Sequence, residues 1–166
     1  MLAPAPSHGH PQAMGVTFQR EPVCALWTEL DPLAAEHWRE VSWEPGSHAC
    51  LDHDRYEHAE ASGVFHMLTV RNTTTGCLIG YAGFWVSDNP QNKTSREASQ
   101  DCVYLDPEFR VGSTGTDFLR FCDRYLEDLG CRVIYHHIRK ARDWSALLRT
   151  LGYREIEKTY ARITGN

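Results

Sequence analysis

The sequence predicts an α/β (mixed α+β) fold, and three observations carry that reading. Apolar spacing is helical up to Gly63 and changes to a period of two from Val64 onward. A polar turn, Asn72-Thr-Thr-Thr-Gly76, separates two strand-like runs in the manner of a hairpin. From residue 97 to the end, strand-like and helix-like stretches alternate, as a sheet covered by helices requires.

The 166 residues suit one core-forming domain. Residues 1–13, rich in Pro, Ala, Gly and His, read as a disordered leader, and His8 and His10 as part of a polar tail; residues 14–166 read as the domain. Val16 to Arg20 is a short strand, followed by a helical stretch from Pro22 to Leu30. Asp31-Pro32 restarts the pattern, with Asp31 as N-cap and proline at the first helical position. Leu33, His37, Trp38 and Val41 line one side of this second segment, with His37 read as a packing residue. Between Ser42 and Leu51 an irregular loop carries Trp43 and His48, which either line a substrate mouth or close the core edge. Asp54-x-x-Glu57 has the form of a capping box opening a helix that ends at Gly63.

Residues 64–71 and 77–86 form the hairpin, and Gly80 and Gly83 mark a bulge or a close backbone approach. Residues 87–96 read as a polar loop leading to a fourth strand over 97–105. The next stretch runs from that strand through Pro107 and Gly112 into a helix from Thr114 to Leu129, with Gly130 as its stop. Phe118, Leu119, Phe121, Cys122, Tyr125, Leu126 and Leu129 make its apolar stripe. The leading N–H groups of such a helix have no intrahelical partner, so Gly112 and Gly115 leave them exposed to an anion, above all a phosphate. Residues 132–138 are a fifth strand, 143–151 a helix closed by Gly152, and 153–163 a last strand.

Composition excludes several classes. The chain is 42% hydrophobic and 23% charged, with a formal net charge of -5, which offers no general counter-charge to a nucleic-acid backbone. No apolar run reaches membrane-spanning length, and the N-terminus lacks the basic start and apolar core of a signal peptide. A cytoplasmic protein with reduced thiols is expected, without nucleic-acid or membrane partners. Of the six cysteines, Cys24, Cys77, Cys102 and Cys122 fall in apolar patterns, and no C-x-x-C or other metal spacing is present. Neither a P-loop nor a Gly-x-Ser-x-Gly elbow occurs.

The order of elements, Val103-Tyr-Leu-Asp-Pro-Glu-Phe-Arg-Val-Gly-Ser-Thr-Gly115 and Leu147-Leu-Arg-Thr-Leu-Gly-Tyr153 resemble the GCN5-related N-acetyltransferase (GNAT) superfamily. Within it the chain is similar to small acetyltransferase-like proteins of phages and bacteria, over residues 15–163. The resemblance implies a central, mostly antiparallel mixed sheet, splayed between its fourth and fifth strands and flanked by helices. It also implies acetyl-CoA as cofactor. The family's Arg/Gln-x-x-Gly-x-Gly/Ala loop falls on Arg110, Ser113 and Gly115, so serine replaces the middle glycine. Val103, Tyr104 and Leu105 would then meet the pantetheine arm. The amides of Val111, Gly112, Ser113, Thr114, Gly115 and Thr116 would hold the pyrophosphate, assisted by Arg110.

Such a fold implies acetyl transfer to a primary amine in a ternary complex, which asks for a base, a polarising donor and an acid. As base the family places a carboxylate on the fourth strand, here Asp101 or Glu97; each is otherwise a solvated strand-end residue. The tyrosine that often serves as acid falls on Leu148, which leaves Tyr135, Tyr153, Tyr160, His136 and His137 as substitutes. Neighbouring strand residues face opposite ways, so one of the two histidines addresses the cleft. The acceptor is a small-molecule or protein amine, and a homodimer is compatible with the superfamily. The competing reading is a GNAT-fold protein, weak or inactive in catalysis, that binds a host or partner protein.

Overall fold

The computed structural model describes residues 15–164, so the expected leader at 1–13 lies outside the described residues. Five strands form one sheet in the order β1-β2-β3-β4-β5. These are β1 (Val16–Arg20), β2 (Phe65–Asn72), β3 (Leu78–Asn89), β4 (Asn92–Leu105) and β5 (Cys131–Tyr135). The first four run antiparallel to their neighbours and β5 lies parallel to β4. Helices α1 (Trp27–Val41), α2 (His53–Ala61), α3 (Thr114–Asp128) and α4 (Ser145–Thr150) flank the sheet.

Alternation along the strands makes two cores. Leu68, Val70, Ala82 and Phe84 point to the face covered by Phe118, Cys122 and Leu126 of α3. Phe65, Met67, Tyr81 and Tyr104 point to the other face, where Val23, Leu26 and Leu30 lead into and along α1. Burying these side chains from water drives the assembly. Arg71 then ties α1 to the sheet, pairing with Glu21 at 2.9 Å and with Glu29 at 3.0 Å.

The strand beside the expected ligand has the feature that matters most. β4 and β5 pair from Arg96↔Cys131 to Ser99↔Tyr135, and β4 then continues to Leu105 without a partner on that edge. The Gln100 side chain stands in the gap. His136 Nδ1 donates to its Oε1 at 2.7 Å, while its Nε2 donates to the His137 carbonyl at 3.4 Å. On the other edge the β3 register passes from Gly83↔Cys102 to Phe84↔Gln100, so Asp101 is the extra residue of a β-bulge. Gly83 permits this packing, because a Cβ there would stand 2.7 Å from Phe65 and 3.0 Å from Cys102 Sγ.

Several expected elements are rearranged. The helix does not restart at Asp31: a one-turn 3-10 helix at Val23–Ala25 leads into α1, which continues through Pro32. Burial of Leu26 and Leu30 sets that start, and Asp31 instead bonds His53 Nε2 at 3.0 Å. The N-cap of α2 is Asp52, whose carboxylate accepts from the Arg55 amide at 3.1 Å; Asp54 lies inside the helix. The expected loop at 87–96 is a continuation of β3 and β4, with Asn89 making the tight turn through its side chain to the Gln91 and Asn92 amides. The expected strand over 153–163 does not form; after Tyr153 the chain runs irregular and exposed. Cys24 and Cys77 are exposed and not packed as small hydrophobes, whereas Cys122 and Cys131 are buried, and all six cysteines are free.

Candidate functional site

A cavity of about 920 Å³ opens between the unpaired part of β4, the α1–α2 side of the sheet and the start of α3. Asp101, Val103, Tyr104, Leu105, Arg110, Gly112, Gly115 and Thr116 all line it. Thus β4, the turn after it and α3 deliver the main sequence candidates to one space.

The turn at the α3 end is amide-rich. Gly112 adopts a φ of +58°, the left-handed conformation that glycine tolerates, and nothing lies within 4 Å of where its Cβ would be. Ser113 is the N-cap residue, with no side-chain cap bond, so the middle position of the loop keeps an ordinary backbone conformation. Among the described residues from 111 to 116, main-chain acceptors are met by the Thr114 N–H alone, at 3.4 Å from the Val111 carbonyl. Asp117 pairs with Arg120 at 3.2 Å.

Arg110 belongs to the same end but is engaged. Its Nε donates to the Leu105 carbonyl, a terminal nitrogen lies 2.8 Å from Glu40, and the guanidinium sits 5.3 Å from the Tyr104 ring centroid. Glu40 also lies 3.7 Å from Arg142 Nε, so one carboxylate stands between two arginines of the cavity wall. Deeper in this wall Tyr104 donates to Glu36 at 3.2 Å, and His37 Nδ1 lies 3.0 Å from the Tyr81 hydroxyl. Burial, ahead of nearby charges, holds the His37 imidazole below its ordinary pKa, in keeping with a packing residue.

The opposite end is aromatic. Asp101 Oδ2 accepts from the Tyr56 hydroxyl at 2.7 Å and Oδ1 from Trp85 Nε1 at 3.0 Å. Burial, then the Asp101 charge, pushes the Tyr56 hydroxyl far above its ordinary range, so it remains a donor. Cys102 sits beside it, its thiol held well above the usual range by burial and therefore protonated.

The remaining candidates are dispersed. Glu97 lies beyond Trp85, lining a separate pocket of about 320 Å³ with Ser99, Tyr135, His137 and Glu157, and accepts from Asn89 Nδ2 at 2.7 Å. His137 borders both spaces and lies 2.9 Å from Ser99 Oγ. His136 points into the interior, edge-on to Phe84, Trp144 and Tyr153, and burial pushes it down to about 4. It is a neutral prop for Gln100 and has no place in the cavity lining, so the histidine that addresses the cleft is His137. Tyr160 is 89% exposed on the irregular C-terminal segment, away from the cavity. Tyr153 donates to Asp123 on α3 at 2.6 Å, and Leu148 is buried. Trp43 is half exposed and closes no core edge, whereas His48 lines the cavity.

Sequence reasoning missed Glu40, Tyr56, Trp85 and Gln100. Their roles depend on contacts across the sheet, and only the bulge-compatible Gly83 hinted at the distortion that aims Asp101. Among the described residues no group of three or more His, Cys, Asp or Glu is placed to hold a metal ion, and no helix is long and apolar enough to cross a membrane.

A mixed sheet splayed beside an amide-rich helix start defines a nucleotide-cofactor-binding α/β protein. The model of the acetyltransferase (GNAT) family matches residues 27–153, and the chain belongs to that family. No curated protein sequence matches significantly. Solved structures share the fold at low identity. A ribosomal-protein-alanine N-acetyltransferase from Brucella melitensis biovar Abortus 2308 is 16% identical, with a TM-score of 0.72 over 92% of this chain and 99% of that one. A predicted acetyltransferase with acetyl-CoA from Clostridium acetobutylicum is 13% identical, TM-score 0.71, covering 90% and 96%. Glucosamine-6-phosphate N-acetyltransferase from Arabidopsis thaliana is 12% identical, TM-score 0.70, covering 91% and 99%.

The family uses acetyl-CoA, and the residues present fit that group. The open edge of β4 from Val103 to Leu105 offers main-chain partners to an extended amide-bearing arm. The open space at Gly112 and the free amides of the following turn suit a diphosphate.

Proposed function

We propose that residues 14–166 form an acyltransferase domain that moves an acetyl group from acetyl-CoA to a primary amine, by direct transfer in a ternary complex in the cytoplasm. One observation carries the reading: Asp101, the open edge of β4 and the turn at 110–116 face one cavity. When bound, acetyl-CoA supplies an activated thioester.

The protein's residues supply the rest. Val103 to Leu105 would align the arm along β4, and the amides of 111–116 with Arg110 would neutralise the diphosphate. Asp101 takes a proton from the acceptor ammonium, which frees the nitrogen lone pair. No side-chain acid comes from Leu148, which is buried and outside the cavity wall, so water would supply the proton that the coenzyme thiol needs. Glu97 and His137 form a second polar station on the side of Trp85 away from Asp101.

Calorimetry with acetyl-CoA tests the cofactor site. Binding in the micromolar range is expected, and Gly115→Trp should remove it, since the indole would fill the space in front of Leu147. Thiol release in the presence of amines tests turnover. Failure to bind at millimolar concentration overturns the proposal. Tight binding with no release for any amine favours a scaffold kept for partner binding, a reading that Leu148 and the engaged Arg110 support.

A further inference from the structure

Asp101 lies in a box of rings. Tyr56 and Trp85 are stacked with centroids 6.0 Å apart and planes 27° apart, and Phe65 closes the back at 4.9 Å from each. Trp27 continues the wall 6.2 Å from Tyr56. Trp27, Tyr56, Trp85 and Asp101 line the cavity, and Asp101 itself is exposed to it. A carboxylate has about four lone-pair directions. Tyr56 and Trp85 use one on each oxygen, leaving one on each for an incoming N–H donor.

The neighbouring acids are each engaged by a partner, though only Glu40 is ion-paired. Glu57 accepts from Trp27 Nε1 at 2.6 Å, Glu36 from Tyr104, Glu40 from Arg110, and Asp52 caps its own helix. Glu97 is held by the Asn89 amide on the far side of Trp85. One carboxylate among ring faces recognises one ammonium carried on an apolar body. Its charge meets Asp101, its C–H and ring surface replaces water on the tryptophans, and the ring quadrupoles add cation–π attraction. A polycation would bring a second ammonium toward Arg55, which lines the cavity beside Tyr56 and is close enough to act on its hydroxyl. Arg55 belongs to the ring end of the cavity, while Arg110 and Arg142 stand toward the other end of β4, where Tyr104 and Leu105 lie. From Asp101 to Leu105 is roughly 13 Å of strand at about 3.3 Å per residue, so those two do not compete for the amine.

We infer that the Tyr56–Trp85–Asp101 box is the acceptor subsite, and that it selects a singly charged primary amine on a flat apolar body, of the arylalkylamine class, over polyamines and aminoglycosides. This rests on the transfer reading for the use of the subsite, but the box can be tested without the coenzyme. Tryptophan fluorescence of the full chain is titrated with 2-phenylethylamine, 2-phenylethanol and spermidine. Saturable change is expected with 2-phenylethylamine, at least tenfold weaker for the uncharged alcohol and for spermidine. Asp101→Asn should weaken the amine tenfold or more and leave the alcohol unchanged. Spermidine binding as tightly as 2-phenylethylamine, equal binding of the alcohol, or no saturable change at tens of millimolar amine overturns the inference. Acetyl-CoA calorimetry on the same sample separates the two proposals. Amine binding without coenzyme binding overturns the transfer reading and keeps the box, whereas coenzyme binding with preferred turnover of spermidine does the reverse.

Discussion

Gly83→Ala should strain the sheet and the acceptor end of the cavity together. The new methyl carbon would lie 2.7 Å from Phe65 Cζ and 3.0 Å from Cys102 Sγ. Carbon atoms prefer about 3.5–4.0 Å, so one of the neighbours has to move by roughly 1 Å. Phe65 is fully buried and touches both Tyr56 and Trp85, so it has nowhere to go without displacing them. Overpacking of this kind costs about 1–3 kcal/mol. For a domain of this size 1 kcal/mol lowers Tm by about 2–4 °C, so a loss of roughly 4–8 °C is the central expectation. Differential scanning fluorimetry reads it. Adding Phe65→Leu should recover part of the loss, because the shorter side chain vacates the space the methyl enters. A Gly83→Ala protein that melts within a degree of the parent, or a double variant as unstable as the sum of the two changes, would refute the packing argument.

Acid should weaken the fold through His136. Its imidazole is held at about 4 by burial against an ordinary 6.5, so unfolding takes up a proton between these values. The stabilisation is complete above the ordinary value and is lost as pH falls toward 4, to a ceiling of about 3 kcal/mol. Urea titrations at pH 7.5, 6 and 5 should show the decline, and His136→Gln should flatten it. Arg71→Met should cost about 1–3 kcal/mol by urea denaturation, since it strips Glu21 and Glu29 of their shared cation. Burial opposes it, but the Arg71 and Thr69 hydrogen bonds keep Glu21 below its ordinary pKa, so in the parent this contribution fades only as pH drops below 4.5. Glu40→Gln should raise acetyl-CoA affinity several-fold in calorimetry by freeing Arg110 and Arg142; unchanged affinity would show that neither arginine meets the diphosphate.

The parts legible in the sequence were those whose signal is local. The stripe from Phe118 to Leu129 ending in Gly130, and the turn from Asn72 to Gly76, each contain their own start, period and stop, and both formed as read. The ribbon at 87–96 was misread because its residues are mostly polar and exposed; its pairing depends on Asn89, not on a buried face. The alternation from Tyr153 to Ile163 met the opposite fate, an extended pattern that pairs with neither open edge of the sheet. At the site, Asp101 was visible as a strand carboxylate, but the bulge that aims it and the hydroxyl and indole that hold it come from residues 45 and 16 positions away. The choice between His136 and His137 turned on register, which period alone leaves open.

The amide of Gln100, gripped from one side by a neutral imidazole and from the other by a main-chain oxygen, acts as a spacer driven between two strands. The doorway it creates exists without any guest. A visiting arm therefore has no sheet to unzip, and the affinity it gains from the exposed edge is not diminished by the work of separating strands.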